Sequence, residues 1–285
     1  MLMSMLAFSL NDVLGKFLVA VFPVGQVVVI RSIAAVLVLG PLALRGGIKA
    51  VLRPEQPWLQ ALRAALMAAE SFCFYAAVAQ LPLADTITFW MAAPVYVAAM
   101  APFALRETID WRGWVAILLG FAGVLVAMQP SAHSLSGPAL IAFSGSMVFS
   151  LAMLLGRRLR ATPDSTVILW QMGASVIGGS LALWLGPGDW QPVTAGQFAQ
   201  LALLGVVAMA ANVMLNRAFK HADAATIMPF QYTLLLWAAI FGAVFFGDVP
   251  GSAVLIGSAL IVAAGLYIAL RQPGHAQKIA AAAKD

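Results

Sequence analysis

The sequence predicts an all-α integral membrane protein of about ten transmembrane helices in two inverted five-helix repeats. Three observations lead there. Hydrophobic residues make up 62% of the chain and charged residues only 9%, whereas soluble domains carry roughly 25% charged residues. Apolar runs recur along the whole chain, each near the ~20 residues that a helix needs to cross the hydrocarbon core. Segments of the first half return in the second at a fixed offset of 141 residues.

The elements follow in order. The first run, 2–21, holds Asn11, Asp12 and Lys16, has no basic leader, and so does not read as a cleavable signal peptide. Phe22-Pro23 ends it, and a second run over 25–44 carries Arg31. The third, 58–80, contains Glu70, Tyr75 and the sole cysteine, Cys73, so no intrachain disulfide can form. The fourth, 83–104, is interrupted by Pro94 and Pro102, and the fifth, 111–128, is glycine-rich. The second half repeats the plan over 138–156, 165–186, 197–219, 225–246 (with Pro229) and 251–270. The expected units are residues 1–134, residues 135–271 and a polar tail over 272–285. Runs of this length are helices, because a membrane strand needs only about 9–11 residues of alternating polarity.

Charge sets the expected topology. With the N-terminus in the cytoplasm, 13 of the 16 basic residues fall in cytoplasmic loops, at the run ends that border them (Arg112 and Arg217) or after the last run, and the outer loops hold none. Cytoplasmic loops of membrane proteins concentrate Lys and Arg, so both termini are expected inside. The net charge of +5 therefore reflects topology and not nucleic-acid binding. Trp58, Trp111, Trp114, Trp184 and Trp190 sit near run ends, where an aromatic belt forms.

The repeat rests on separated segments. Residues 8–16 read FSLNDVLGK and residues 149–157 read FSLAMLLGR, identical at five of nine positions. The same offset pairs Ala84 with Ala225, Phe89 with Phe230, and Glu107 with Asp248. An odd number of spans per half turns the second half upside down, an arrangement typical of transporters that bind substrate between their halves.

These features carry a resemblance: the Asn11–Lys16 stretch, Arg31 in the second run, Leu83-Ala84-Asp85 leading into a run that ends Arg106-Glu107, and Gly120 and Gly123 in the fifth run. The chain resembles the drug/metabolite transporter superfamily, EamA type, over essentially its whole length. Within it, the chain is similar to the YddG-type amino-acid exporters of bacterial inner membranes. The resemblance implies export of aromatic and other neutral amino acids by alternating access, with a small-molecule substrate and no cofactor.

Candidate binding residues come from chemistry and spacing. Glu70 lies mid-helix, where a carboxylate is costly and needs a cavity or a partner. It is expected either to take a substrate amine or a coupling proton, or to pair with Lys16 or Arg31. Lys16 and Arg31, toward the outer ends of their helices, either bind a substrate carboxylate, pair structurally with Asp12 or Glu70, or snorkel to the outer interface. Asp85, Phe89, Ala92 and Tyr96 share one helix face, and their repeat equivalents are Thr226, Phe230, Thr233 and Trp237. Trp90 and Gln231 are also equivalent. The two stripes are expected to line opposite walls of one cavity, their aromatic rings holding an apolar side chain or an ammonium group. Tyr75, Gln171, Asn212 and Asn216 are further intramembrane polar groups, which serve substrate or helix packing equally well. Pro94 and Pro229 are the expected hinges.

What is missing narrows the function. No phosphate-binding glycine loop with lysine is present, which argues against ATP-driven transport within the chain. His133, His221 and His275 fall in expected loops or the tail, so no intramembrane metal site is expected. No Ser/His/Asp grouping assembles at one depth, so an enzyme is not expected. The reading is a secondary transporter exporting neutral amino acids. Its alternatives are proton-coupled efflux of lipophilic cations, and a membrane enzyme or assembly subunit without transport. Whether the unit is a monomer stays open.

Overall fold

A computed structural model of the chain describes residues 1–44, 51, 54–105, 111–128, 136–159, 162–185, 190–221 and 230–271. Its helices are α1 Leu2–Val19, α2 Val24–Leu44, α3 Pro57–Val78, α4 Leu83–Met91, α5 Ala93–Leu105, α6 Trp111–Met128, α7 Gly137–Arg158, α8 Asp164–Leu185, α9 Ala195–His221, α10 Thr233–Phe241 and α11 Ser252–Arg271. A π-helical turn, Gly242–Phe246, continues α10. No strand occurs among the described residues. Among the described residues, seven helical segments are long and apolar enough to cross a membrane, and three shorter apolar ones accompany them. Large apolar side chains such as Leu37, Leu118, Ile177 and Val244 face outward. That is the reverse of a soluble fold and suits contact with lipid.

Local chemistry explains the ends and breaks. Pro57 sits in the first turn of α3 and Pro138 in that of α7, where a missing N–H costs nothing. Ser136 caps α7 by accepting from the Ala139 amide at 3.4 Å. The fourth run is one helix by hydropathy but two by geometry. Pro94 has no N–H to give to the Trp90 carbonyl, and its ring crowds that carbonyl. The chain turns at Ala92, whose carbonyl then accepts from Val95 at 2.9 Å and Tyr96 at 3.1 Å. The ninth run is broken in a similar way at Tyr232, before α10. Pro229 lies outside the described residues. Gly247 closes the π turn at φ 69°, a left-handed conformation that glycine adopts without steric cost. His221, expected in a loop, is the last residue of α9, which runs two residues past its expected end.

Packing joins early helices to late ones. α6 lies against α11, α2 against α8 and α9, α3 against α7 and α8, and α1 against α9 and α10. α4 touches both α7 and α10. Gly123 and Gly257 bring α6 and α11 close: a Cβ on Gly257 would fall 2.5 Å from the Gly123 carbonyl oxygen. Small residues of this kind let membrane helices approach closely. Side chains cross the seams too. Asn11 Nδ2 donates to the Leu204 carbonyl at 2.7 Å, and the Thr88 and Ser258 hydroxyls lie 3.0 Å apart.

Candidate functional site

The polar centre is built on α3. Glu70 and Phe74 stand one turn apart on that helix, and Ser71 and Tyr75 follow them on the adjoining strip. α4 delivers Trp90, whose Nε1 donates to Glu70 Oε1 at 2.8 Å. The Ser71 hydroxyl lies 3.3 Å from Glu70 Oε2 and 3.1 Å from the Met67 carbonyl. Phe74 meets Trp90 edge to face at 5.1 Å and Tyr75 at 5.5 Å. From α2, Arg31 Nη1 donates to the Tyr75 hydroxyl, and both residues are buried. Asp12, on α1, lies within electrostatic reach of both Glu70 and Arg31. Two carboxylates therefore share one guanidinium in an environment where charge is poorly screened. With all three ionised, one negative charge is left over.

Arg31 also faces a second space. A cleft of about 40 Å³ between α2, α8 and α9 is lined by Arg31, Gln171 and Asn212 together with Met172 and Met209. Asn212 Nδ2 is held by the Ala208 carbonyl at 2.8 Å, which leaves its oxygen as an acceptor. The cleft has room for a group the size of a carboxylate or one water. Arg31 is thus the junction between the Glu70 network and this cleft.

A third cluster closes one end of the bundle. Lys16, in the last turn of α1, pairs with Asp248 at 2.7 Å and donates to the Leu81 carbonyl at 3.1 Å. Its ammonium also lies 4.6 Å from the centre of the Phe246 ring, at the end of the π turn. Asp85 feels the charges of Lys16 and Asp248. Of the roles expected for Lys16, the structural pairing holds, but with Asp248 and not with Asp12 or Glu70. Lys16 lies at the end of α1 and reaches the loop before α11.

The candidate residues separate into groups. Glu70, Tyr75 and Trp90 come together, and Arg31 and Asp12 join them. Phe89 and Tyr96 are buried in an apolar cluster with Val124, Ala139 and Ile261. The Tyr96 ring packs on Phe121 at 5.4 Å and Phe143 at 5.9 Å. On the other side, Trp237 stacks on Phe241 at 5.8 Å, Gln231 is partly buried, and Phe230 is exposed. α4 and α10 do pack together, but the ring contacts of Trp90 and Trp237 run to Phe74 and Phe241, not to each other. Among the intramembrane amides, Gln171 and Asn212 meet at Arg31. The side chain of Asn216 lies outside the described residues.

Comparison with known proteins turns this geometry into a family. The profile of the EamA-like transporter family matches residues 1–129 and again residues 137–270. The chain belongs to that family. It is a multi-pass membrane protein that transports small metabolites, and it is not an enzyme. Similar proteins include the S-adenosylmethionine uptake transporter of Rickettsia bellii, 24% identical over 94% of this chain and 91% of that protein. The riboflavin transporter of Rhizobium johnstonii is 28% identical over 94% of this chain and 89% of its own length. The pseudopaline exporter of Pseudomonas aeruginosa is 25% identical over 94% and 93%. A solved crystal structure shares the fold with a TM-score of 0.62 at 18% identity, covering 93% of this chain and 95% of that one. In this chain, half-buried Glu70 with buried Arg31 and Trp90 forms a grouping that offers an acceptor, a cation and an aromatic face.

Proposed function

We propose that the chain is a secondary transporter that exports neutral amino acids, with preference for aromatic side chains, by alternating access. The grouping of Glu70, Arg31 and Trp90 carries this reading. An amino-acid zwitterion needs an anion for its ammonium, a cation for its carboxylate and an apolar surface for its side chain. Glu70 with Asp12, Arg31 at its cleft, and Trp90 with Phe74 supply the three. The names of the relatives include both uptake and export and span dissimilar solutes. The choice of substrate and direction therefore rests on this chain's own site and on its resemblance to amino-acid exporters.

Alternating access is supported by the pairing of helices. If the α4–α5 pair and α10 with its π turn each count as one span, the most extensive helix contacts map onto one another when each span is exchanged with the one five places on: α2 with α8, α6 with α11, α3–α7 matched by α1–α9, and α3–α8 by α2–α9; lesser contacts such as α11 with α4 and α5 have no such match. Two inverted halves, residues 1–134 and 135–271, would give that symmetry, and the two-part family match supports the same division. The break at Ala92 ahead of Pro94 would serve as a hinge, with Pro229 as its counterpart. In the topology with both termini cytoplasmic, in a bacterial inner membrane, the Lys16 cluster closes the outer end and the Arg31 cleft lies in the cytoplasmic half.

Two carboxyl groups beside a single guanidinium favour a second reading, proton-coupled efflux of lipophilic cations, with Glu70 as the proton carrier. Glu70→Gln separates the two. If exchange of labelled phenylalanine across liposomes weakens but stays independent of a pH gradient, the amino-acid reading gains. If cation efflux becomes insensitive to pH and phenylalanine never moves, the second reading replaces it.

A further inference from the structure

Three residues of the candidate site each rest on a glycine from another helix. Gly145, on α7, faces Trp90: a Cβ there would lie 3.0 Å from the indole atoms Cη2 and Cζ2, and 2.5 Å from Cys73 Cβ. Gly15, on α1, faces Tyr75, with a Cβ falling 2.6 Å from Cε1. Gly205, on α9, faces the Arg31 backbone, with a Cβ 2.0 Å from its carbonyl oxygen. Other tight glycines meet groups outside the candidate site, as Gly120 does at Val95 and Gly265 at Tyr232. These three touch the side chain or backbone of groups that hold the polar network.

We infer that Gly145 is a positioning residue that sets how deep Trp90 sits, and so how large a side chain the site accepts, while Gly15 and Gly205 seat Tyr75 and Arg31. The inference rests on the transport reading given above. Trp90 is fixed on three sides: by Gly145, by the edge of Phe74 and by Glu70 at Nε1. A Cβ at position 145 meets Cys73 first and also crowds the indole at 3.0 Å, so the ring must give by a few tenths of an ångström. Pushed from α7, the ring shifts towards Phe74 and Glu70, which strains its bond to the carboxylate and leaves less room beside them for a bulky side chain. A small substrate would tolerate this and a bulky aromatic one would not.

The test uses the full-length protein labelled with 5-fluorotryptophan, the Trp90 resonance being assigned by its loss in Trp90→Phe. Because Gly145→Ala also meets Cys73 Cβ and could fail to fold, Gly145→Ala is paired with Cys73→Gly and compared with Cys73→Gly alone. Gly173→Ala, whose Cβ would meet nothing within 4 Å, is the control. The expected result is a displaced Trp90 resonance with a KM for phenylalanine raised on the order of tenfold, the discrimination that about one methylene of lost room gives in an apolar pocket. The maximal rate and the KM for alanine stay near their reference values. Adding Trp90→Phe to the pair produces no further rise. An unmoved Trp90 resonance, or a KM that rises equally for alanine and phenylalanine, overturns the inference. The resonance is read without substrate, so a displaced signal in a protein that moves neither amino acid upholds the positioning role and rejects the amino-acid reading.

Discussion

Breaking the Lys16–Asp248 pair should loosen one end of the bundle by a measurable factor. The two side chains are 15% and 27% exposed, so the pair is screened far less than a surface ion pair. A hydrogen bond between charged groups contributes about 1.5–3 kcal/mol net. Taking about 2 kcal/mol, and 1.36 kcal/mol per factor of ten, Asp248→Asn should raise the open population roughly thirty-fold. Asp85 lies near enough to recapture part of the ammonium, so Asp85→Asn/Asp248→Asn should open further than Asp248→Asn alone. The assay replaces Cys73 by Ser and Ala84, which is buried beside Asp85, by Cys, then measures its labelling by a membrane-impermeant maleimide. While opening is rare and reclosing fast, the labelling rate follows the open population. The charge swap Lys16→Asp/Asp248→Lys should restore slow labelling. If Asp248→Asn labels no faster than its parent, or the swap labels as fast as the single variant, Lys16 is not holding this end closed.

Other expectations are independent of that pair. Arg31→Lys keeps the charge but loses the planar fork, so it should raise the KM for amino acids while leaving folding, judged by monodisperse elution, intact; Arg31→Leu should abolish saturable transport. Gly205→Ala places a Cβ 2.0 Å from a backbone oxygen that cannot swing aside, so it should destabilise the α2–α9 contact and lower the melting temperature by several degrees. Cys73 is the sole cysteine and neighbours Glu70 on α3. Bound phenylalanine should slow its alkylation in the unmodified protein, and an unchanged rate at saturating phenylalanine would count against a site at Glu70.

The helices were legible because length and hydropathy decide them: a run such as 138–156 has few charges and a proline at its first turn. The interruption at Ala92 was legible too, since Pro94 removes a specific hydrogen bond. Glu70 stood out because an intramembrane carboxylate needs a reason to be there. The partners of such residues were harder. Lys16 meets Asp248 across 232 positions, and no local pattern announces such a contact. The stripe argument took Phe89 and Tyr96 together with Trp90. All three pack in one buried cluster beside α7, but only Trp90, one position round, has a polar edge that reaches Glu70. Helical spacing gives a common face but not which face meets the polar centre. Gly145 and Gly205 carry no signal of their own, because a glycine becomes informative only once the atom opposite it is known.

The most direct test of the whole account is flux. Purified protein is placed in liposomes, and uptake of labelled phenylalanine and methionine is followed with and without a proton gradient. The account predicts saturable uptake of both that disappears in Trp90→Ala. Movement of neither amino acid, with a lipophilic cation carried only when the gradient is present, would contradict it.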